Sequence, residues 1–233
     1  MNYRTGVIPP DPYQAQVVFM AHNNYSTGLV DTKGHTITNT GPAGAIDGTR
    51  YPSITGANGS FYNSSTANTT NDLRASSADF NTLLAADFTI EFWLNVQTVN
   101  FFAAQTINIG TGSYGGTTVS DFNMQYFVNQ IQMTFRNGAN WLSGVAPPTS
   151  TWQFWAISCT GGACRIYQHG TFKTSLAIGA SRSYAPTFIS FAACYPGSLT
   201  ASLCGSISEV RCTAGVGRYP STCPVPTAIF SDT

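Results

Sequence analysis

The chain contains two glutamates, Glu91 and Glu209, and paired carboxylates are the groups that most often hydrolyse glycosidic bonds. The two glutamates are far apart in sequence. On a strand through Glu91, the neighbours on the same face are Thr89, Trp93 and Asn95, so no second acid lies beside it. Glu91 is therefore predicted to be an outward-facing or arginine-paired strand residue rather than a catalytic acid.

Other catalytic patterns are missing from the sequence. The histidines His22, His35 and His169 fall in a strand end, a polar loop and a turn, and no Gly-x-Ser-x-Gly segment is present. The glycine-rich residues 110–116 lack the lysine and the following helix of a phosphate-binding loop. We therefore expect a protein that is not an enzyme and has no cofactor.

The six cysteines could form disulfides or remain as buried thiols, and a reducing compartment favours thiols. Their positions are Cys159, Cys164, Cys194, Cys204, Cys212 and Cys223. The best disulfide candidates are Cys159 and Cys164, because their sulfurs would face each other if residues 160–163 form a hairpin loop. The spacings match no zinc pattern with two close pairs.

Several predicted loops carry the aromatic and amide side chains that hold sugars by packing and hydrogen bonding. These glycan-binding candidates are Tyr114, Asn140, Trp141, Tyr184 and Tyr195. Each also has a structural interpretation: Trp141 begins a short strand and could belong to the core, and Tyr195 precedes a Pro-Gly turn. The tryptophans within strands, Trp93, Trp152 and Trp155, are predicted to be packing residues.

Composition excludes some function classes. Charged residues make up 9% of the chain, ten basic residues balance ten acidic ones, and no basic stripe is present, which excludes a nucleic-acid site. No apolar run approaches the length that spans a bilayer, so membrane insertion is not expected. The first residues do not resemble a secretory signal. We expect a protein that is made in the cytoplasm and is kept there or released by lysis.

The elements that position these residues are strands. Residues 87–96 alternate strictly between apolar and polar, which indicates a strand between two different surroundings. Similar short runs predict strands at 17–21, 87–96, 101–109, 121–128, 130–136, 152–159, 163–168, 171–177, 187–193 and 204–212. His169 and Gly170 are predicted to form a tight hairpin turn. The sequence thus predicts an all-β, two-sheet antiparallel sandwich over residues 17–233, preceded by an extended, proline-containing arm over residues 1–16.

Eight short motifs occur in an order that identifies a family. They are VVFMAH (17–22), LVDTKGH (29–35), DFTIEFWLNV (87–96), WQFWAI (152–157), QHG (168–170), GSISEVR (205–211), GVGRY (215–219) and PTAIF (226–230). Together they resemble the concanavalin A-like lectin/glucanase (laminin-G-like) jelly roll, in the form found in virion proteins of tailed bacteriophages. The resemblance covers roughly residues 17–230.

The resemblance implies a non-catalytic structural or accessory protein of a phage particle, such as a decoration, head-fibre or tail subunit. Expected partners are other virion proteins, bound through residues 1–16, and further copies of the chain; the expected location is the virion, assembled in the host cytoplasm. The alternative is a carbohydrate-binding module that contacts glycans on the host cell. Catalytic relatives carry Glu-x-Asp-x-Glu on one strand, which this chain lacks. Relatives that bind structural calcium often use two aspartates; Asp31 matches the first position, but Ser208 occupies the second.

Overall fold

The computed structural model describes residues 11–24, 28–39, 44–63, 73–98, 103–111, 119–127, 130–144, 148–191 and 204–232. In chain order the strands are β1 (Val17–Asn24), β2 (Gly28–Asp31), β3 (Ile37–Asn39), β4 (Gly44–Asp47), β5 (Ser60–Asn63), β6 (Leu73–Ser76), β7 (Phe88–Thr98), β8 (Ala103–Thr111), β9 (Val119–Phe127), β10 (Gln130–Phe135), β11 (Asn140–Leu142), β12 (Trp152–Thr160), β13 (Ala163–Gln168), β14 (Thr171–Ala177), β15 (Phe188–Phe191) and β16 (Cys204–Ala214). Two short 3₁₀ helices span Gln14–Gln16 and Ala78–Thr82.

These strands form two antiparallel sheets, which confirms the predicted all-β sandwich. The back sheet has the order β14-β13-β12-β7-β16-β1-β2, with β5 pairing β16 and β4 pairing β5. The front sheet has the order β11-β10-β9-β8-β15-β6-β3. Strand β7, which contains the alternating segment, lies in the middle of the back sheet between β12 and β16.

The main core fills the space between the sheets. On β7 the side chains of Phe88, Ile90, Phe92 and Leu94 point into it and are at most 2% exposed. Their partners from the front sheet include Ile107, Ile109, Phe122, Met124, Ile131 and Met133. Because side chains alternate along a strand, the residues between these positions face outward. That alternation decides which side chains each outer face displays.

The outer face of the back sheet is covered by the C-terminal segment. A second apolar cluster joins Met20, Trp93 and Phe154 from the sheet to Cys223 and Phe230 from the C-terminal segment. Trp93 is 4% exposed and packs against Phe154, with ring centroids 5.6 Å apart. Trp93 is one of the three strand tryptophans that were predicted to be packing residues. It is buried on this outer face because the C-terminal segment covers it.

The first described residues also bind the back sheet. Asp11 accepts hydrogen bonds from Nη1 of Arg211 at 2.9 Å and Nη1 of Arg218 at 2.8 Å. The Arg218 guanidinium lies over the ring of Tyr13, 5.2 Å from its centroid. Residues 11–16 were predicted to belong to an extended arm; they include a 3₁₀ turn and are held on this chain's own sheet. Residues 1–10 of that arm lie outside the described residues.

No helix in the described part of the chain is long and apolar enough to cross a membrane. The predicted turn at His169 and Gly170 is confirmed: both residues have positive φ, 47° and 78°, between β13 and β14.

Candidate functional site

A row of polar side chains crosses the outer face of the front sheet. The strand register places its members directly opposite one another from one edge of the sheet to the other. In sheet order they are Thr38, Arg74, Ser190, Asn108, Asn123, Thr134 and Asn140. We call these seven residues the polar row. It exists because its central members lie between two core-facing residues on their strands, as Asn108 does between Ile107 and Ile109.

The polar row is exposed at its ends and buried in its middle. Thr38 and Asn140 are exposed, whereas Ser190 and Asn108 are each 2% exposed and Asn123 is 9% exposed. A row of amides and hydroxyls offers both donors and acceptors along one line. The sheet therefore presents a linear set of hydrogen-bonding groups, neutral except for Arg74, that is accessible at both edges.

Three buried oxygens on or beside the row have no hydrogen-bond partner among the described residues: Oδ1 of Asn123, Oδ2 of Asp121 and Oγ1 of Thr106. Asn123 and Asp121 are two residues apart on β9, so they share the outer face. Buried polar atoms in proteins are nearly always hydrogen-bonded, and an orphan acceptor needs a donor from water, an ion or a ligand. This face is accordingly rich in acceptors.

Amide side chains on β9 and β10 form a ladder next to the polar row. Nδ2 of Asn123 donates to Oε1 of Gln125 at 3.4 Å, and Nε2 of Gln125 donates to Oε1 of Gln132. Gln130 accepts a hydrogen bond from the backbone N–H of Gly144 at 3.0 Å. These bonds orient the amides, which leaves Oδ1 of Asn123 directed away from the ladder.

Charged groups flank the row on the same face. Nη1 of Arg136 lies 3.2 Å from Oδ1 of Asp121, whose side chain is fully buried while that of Arg136 is 47% exposed. Burial raises the pKa of Asp121 despite the opposing effect of Arg136. On the other side, the Arg74 guanidinium stacks on the ring of Phe188 at 4.0 Å from its centroid. The face thus combines two arginines with one carboxylate.

The structure separates the predicted glycan-binding residues. Asn140 ends the polar row and is exposed, whereas the ring of Trp141, next in sequence, packs against the core. Tyr184 is 7% exposed within the core, and its hydroxyl accepts a hydrogen bond from the Asn137 backbone N–H at 3.0 Å. Neither ring offers an open stacking surface, so their placement favours the structural interpretation. Tyr114 and Tyr195 lie outside the described residues.

Glu91 is buried on the back sheet and bound by Arg211, in agreement with the predicted role of an arginine-paired strand residue. Nε and Nη2 of Arg211 donate to its two carboxylate oxygens at 2.7 and 2.8 Å, and the Tyr219 hydroxyl donates to Oε1 at 2.5 Å. The Glu91 side chain is fully buried. Burial, followed by the charge of Glu91, raises the pKa of Tyr219, so its hydroxyl remains a donor. This carboxylate has no approach to a substrate.

Glu209, the second glutamate, binds a histidine on the same face. It lies at an irregularity in β16 with a positive φ of 51°, a conformation that non-glycine residues seldom adopt. His22 bridges two carboxylates: Nδ1 is 2.7 Å from Oε2 of Glu209, and Nε2 is 2.8 Å from Oδ1 of Asp232. Burial alone would lower the pKa of His22, but the two carboxylates outweigh it and raise that pKa to about 9.

The oxygens of Asp31, the weak calcium candidate, are already used by protein donors. Oδ1 accepts from the backbone N–H of Met20 at 2.9 Å and of Lys33 at 3.2 Å. Oδ2 accepts from the His35 backbone N–H at 3.0 Å and contacts Nδ1 of the same residue. Ser208, where relatives carry a second aspartate, donates its hydroxyl to the Gly59 carbonyl. Among the described residues, no group of three His, Cys, Asp or Glu side chains is arranged to hold a metal ion.

The described cysteines are buried free thiols. Cys159 and Cys164 lie directly opposite each other on β12 and β13, as the hairpin prediction required, and both are fully buried. Cys212 and Cys223 are buried in the main core and in the second cluster, respectively. Cys194 lies outside the described residues, as does the side chain of Cys204.

Sequence reasoning missed most of the polar row. It selected loop aromatics, whereas the row comes from the outward positions of strands. The available signal was the alternation itself: Asn108, Asn123 and Thr134 each lie between two apolar residues. Which of these residues meet depends on the pairing of distant strands, and this was read only from the structure.

Comparison with known proteins places this geometry in a family. No curated protein matches the sequence. The binding domain of botulinum neurotoxin DC, solved in complex with rat synaptotagmin II, superposes with a TM-score of 0.60 and 12% identity, covering 94% of this chain and 50% of that one. A botulinum neurotoxin type C structure, whose title states that cell entry depends on interaction with two ganglioside molecules, gives 0.58 and 15%, covering 88% and 49%.

Trypanosoma rangeli sialidase in complex with sialic acid has a TM-score of 0.61 and 9% identity, covering 85% of this chain and 31% of that one. The chain thus spans about half the length of the toxin structures and about a third of the sialidase, and these likenesses show the fold alone. The family model Laminin_G_3, described as concanavalin A-like lectin/glucanases superfamily, matches residues 67–214, more than half of the sequence. The chain therefore belongs to the concanavalin A-like lectin/glucanase superfamily.

Proposed function

We propose that the protein recognises glycans without catalysis, and that the polar row on the outer face of the front sheet is the binding surface. The observation that carries the proposal is the alignment of seven polar side chains across seven strands, with acceptor oxygens at Asn123 and Asp121 that have no partner among the described residues. A protein with no ligand on this face would gain stability from apolar or self-satisfied side chains there.

A polyhydroxyl ligand suits this surface. Sugar hydroxyls donate and accept at closely spaced positions, which matches a line of amides and hydroxyls. Oδ1 of Asn123 and Oδ2 of Asp121 are buried and have no donor in the described part of the chain, so a ligand hydroxyl that reaches them would complete their hydrogen bonding. Asn140 and Thr134 at the β11 edge are exposed and partly exposed, so a ligand would first meet the row there.

Structures with the same fold support the proposal. Two of the similar structures have titles that name sialic acid or gangliosides as ligands of those proteins. A third is bound to a protein, synaptotagmin II, so the same architecture also serves protein recognition. Six of the seven members of the polar row are neutral amides or hydroxyls, which favours a glycan over a charged protein surface for this chain.

The absence of catalysis is part of the proposal. Most glycosidases need two carboxylates on one site. Asp121 is the only carboxylate on the outer face of the described front-sheet strands, and both glutamates are hydrogen-bonded on the opposite side of the molecule. Release of reducing ends from a polysaccharide by the purified protein, abolished in Asp121→Asn, would refute this part of the proposal.

A glycan array with matched variants tests the binding surface. Thr134→Ala with Asn140→Ala removes two hydrogen-bonding groups at the open end of the row. We expect binding to fall by about thirtyfold, since each of the two lost hydrogen bonds weakens binding by roughly 1 kcal/mol and about 1.4 kcal/mol corresponds to a factor of ten. The control is Thr171→Ala with Ser175→Ala, two exposed positions on β14 of the back sheet. Equal binding by both variants would place the site elsewhere.

We further propose that the protein is an accessory subunit of a bacteriophage particle, as its resemblance to virion proteins implies. The low charge, 9% of residues, suits a surface that packs against neighbours. Residues 11–16 are tied to the back sheet, so we assign the attachment to the remainder of the arm, residues 1–10.

Deletion of residues 1–10 tests attachment while keeping the ion pairs of Asp11, whereas deletion of residues 1–16 would also disturb the fold. We expect the shorter deletion to lower the copy number in purified particles without changing the melting temperature. Full occupancy of the particle by the truncated chain would contradict attachment through this segment, and images of the particle would locate the subunit.

A further inference from the structure

The hairpin between β12 and β13 brings two thiols together in the geometry of a cross-strand disulfide. Gly161 and Gly162 form its two-residue turn, with φ of 57° and 83°. Thr160 and Ala163 face each other next to the turn and form the closing pair. Pairs alternate between hydrogen-bonded and non-hydrogen-bonded along an antiparallel ladder, so the next pair, Cys159 with Cys164, is non-hydrogen-bonded.

That position has the right spacing for a bond. Non-hydrogen-bonded pairs have Cα atoms about 4.5 Å apart, and disulfides span Cα separations of about 4.4–6.8 Å. The register shows no irregularity between β12 and β13, so both side chains point to the same face. Cys159 and Cys164 are both fully buried in the core. The pair therefore occupies a position whose ordinary spacing lies within the range that a disulfide spans.

The surroundings hold the hairpin in place. Oδ1 of Asp87 accepts a hydrogen bond from the Gly161 backbone N–H at 2.8 Å, and the Gly162 carbonyl accepts from the Ile178 N–H at 2.8 Å. Arg182, whose Nε donates to the Leu84 carbonyl at 2.7 Å, lies near the thiols. A hydrogen bond from Cys164, aided by Arg182, lowers the pKa of Cys159, while burial raises the pKa of Cys164.

We propose that Cys159 and Cys164 form a redox site that closes to a disulfide by exchange with a small-molecule disulfide such as oxidised glutathione. The Cys159 thiolate attacks one sulfur of that molecule, breaks its S–S bond and releases one thiolate. The Cys164 thiolate then attacks the sulfur of Cys159 in the mixed disulfide and releases the second. The two cysteines lose two electrons and two protons, and one small disulfide is reduced to two thiols.

The inference does not depend on the proposed glycan or particle role. Burial keeps the thiols from solvent in the folded chain, so exchange takes place during folding or when the hairpin opens. A chain folded in a reducing compartment would retain the thiols, and one folded under oxidising conditions would carry the bond.

Refolding of the full chain in glutathione buffer tests the proposal, because the oxidant then reaches every thiol before burial. After refolding, free thiols are alkylated under denaturing conditions and the chain is cut with trypsin. Cleavage after Arg136 and Arg165 places Cys159 and Cys164 in one peptide, residues 137–165, and separates them from all other cysteines. We expect this peptide to be lighter by two hydrogens and unalkylated.

Two cysteine variants serve as controls in the same experiment. Cys212→Ser removes another buried core thiol and should leave the bond in residues 137–165 intact, whereas Cys164→Ser should leave Cys159 alkylated or joined to glutathione. The proposal is overturned if wild-type peptide 137–165 carries two alkyl groups or glutathione adducts. Cross-links from Cys159 or Cys164 to other cysteine peptides at the expense of the internal bond would overturn it equally.

Discussion

Arg211 and Glu91 face each other on neighbouring strands of the back sheet and share two hydrogen bonds. Nε and Nη2 of the guanidinium reach the two carboxylate oxygens at 2.7 and 2.8 Å, with both side chains at most 9% exposed. Arg211 also binds Asp11 through its Nη1. One arginine therefore links a central strand to the N-terminal segment, while the Tyr219 hydroxyl ties the C-terminal segment to the same carboxylate.

Removing the charge of Glu91 should destabilise the fold strongly. In Glu91→Gln, the buried Arg211 keeps its bond to Asp11 but loses the charge of Glu91, and we expect the free energy of unfolding to fall by about 3 kcal/mol. Denaturant unfolding measures the change. Arg50→Gln is the control, because Arg50 pairs with Asp47 while its side chain is 42% exposed, and its loss should cost under about 1 kcal/mol. Similar losses in both variants would mean that the buried pair contributes no more than a surface pair.

His22 should make the stability depend on pH in the alkaline range. Its pKa is about 9 in the folded chain and about 6.5 when unfolded, so the folded state retains a proton that the unfolded chain releases. The stabilisation is complete below about pH 6.5 and is lost as the pH rises through 9, by about 3 kcal/mol at most.

Urea unfolding at several pH values, with His22→Gln beside the wild type, measures this effect. The variant should show a flatter profile between about pH 6.5 and 7.5, a window that ends about one unit below the ordinary cysteine pKa of about 8.5. Parallel profiles would exclude the bridge to Glu209 and Asp232 as the cause.

Gly217 should tolerate no side chain, because the C-terminal segment passes close to β12 there. A Cβ at this position would lie 2.4 Å from the Cys159 carbonyl oxygen and 2.0 Å from Oγ1 of Thr160. We expect Gly217→Ala to lower the free energy of unfolding by about 1–3 kcal/mol. At Gly215 a Cβ meets nothing within 4 Å, although φ is +75°, so Gly215→Ala should cost about 1 kcal/mol. Thermal unfolding compares the loss of stability in the two variants. A larger loss in Gly215→Ala than in Gly217→Ala would contradict this packing.

Asp121→Asn should leave the protein as stable as the wild type, or more so, at neutral pH. Burial raises the pKa of Asp121, so its ionised form opposes folding, and this penalty grows as the pH rises above the ordinary value of about 3.9. The stability difference between variant and wild type should shrink toward pH 3. A marked loss in the variant at pH 7, measured by denaturant unfolding, would show that the pair with Arg136 outweighs burial.

Much of the fold could be predicted because long strands carry a clear period of two. The predicted strand at 163–168 is observed as Ala163–Gln168, and that at 171–177 as Thr171–Ala177. The short strands β2 to β6, of three or four residues each, were not individually predicted. Segments so short hold one or two inward residues, too few to establish a period.

The candidate site was predicted less well. Asn140 was selected as a loop residue, and it ends a row whose other members are spread from Thr38 to Ser190 in sequence. Alternation shows that Asn108 faces outward, but only the pairing of β8 with β9 sets it against Asn123. Which distant strands pair with each other depends on the packing of the whole core, and no local sequence pattern carries that information.

Both ends of the described chain meet on one side of the sandwich, where Nε2 of Gln14 donates to the Asp232 carbonyl at 3.0 Å. That side is the outer surface of the back sheet, and the polar row occupies the other. A tether or fused domain joined next to residue 232 therefore emerges facing away from the row. A protein immobilised in this way would display its amide-lined surface to the surrounding medium, with no need for a hinge or a long linker.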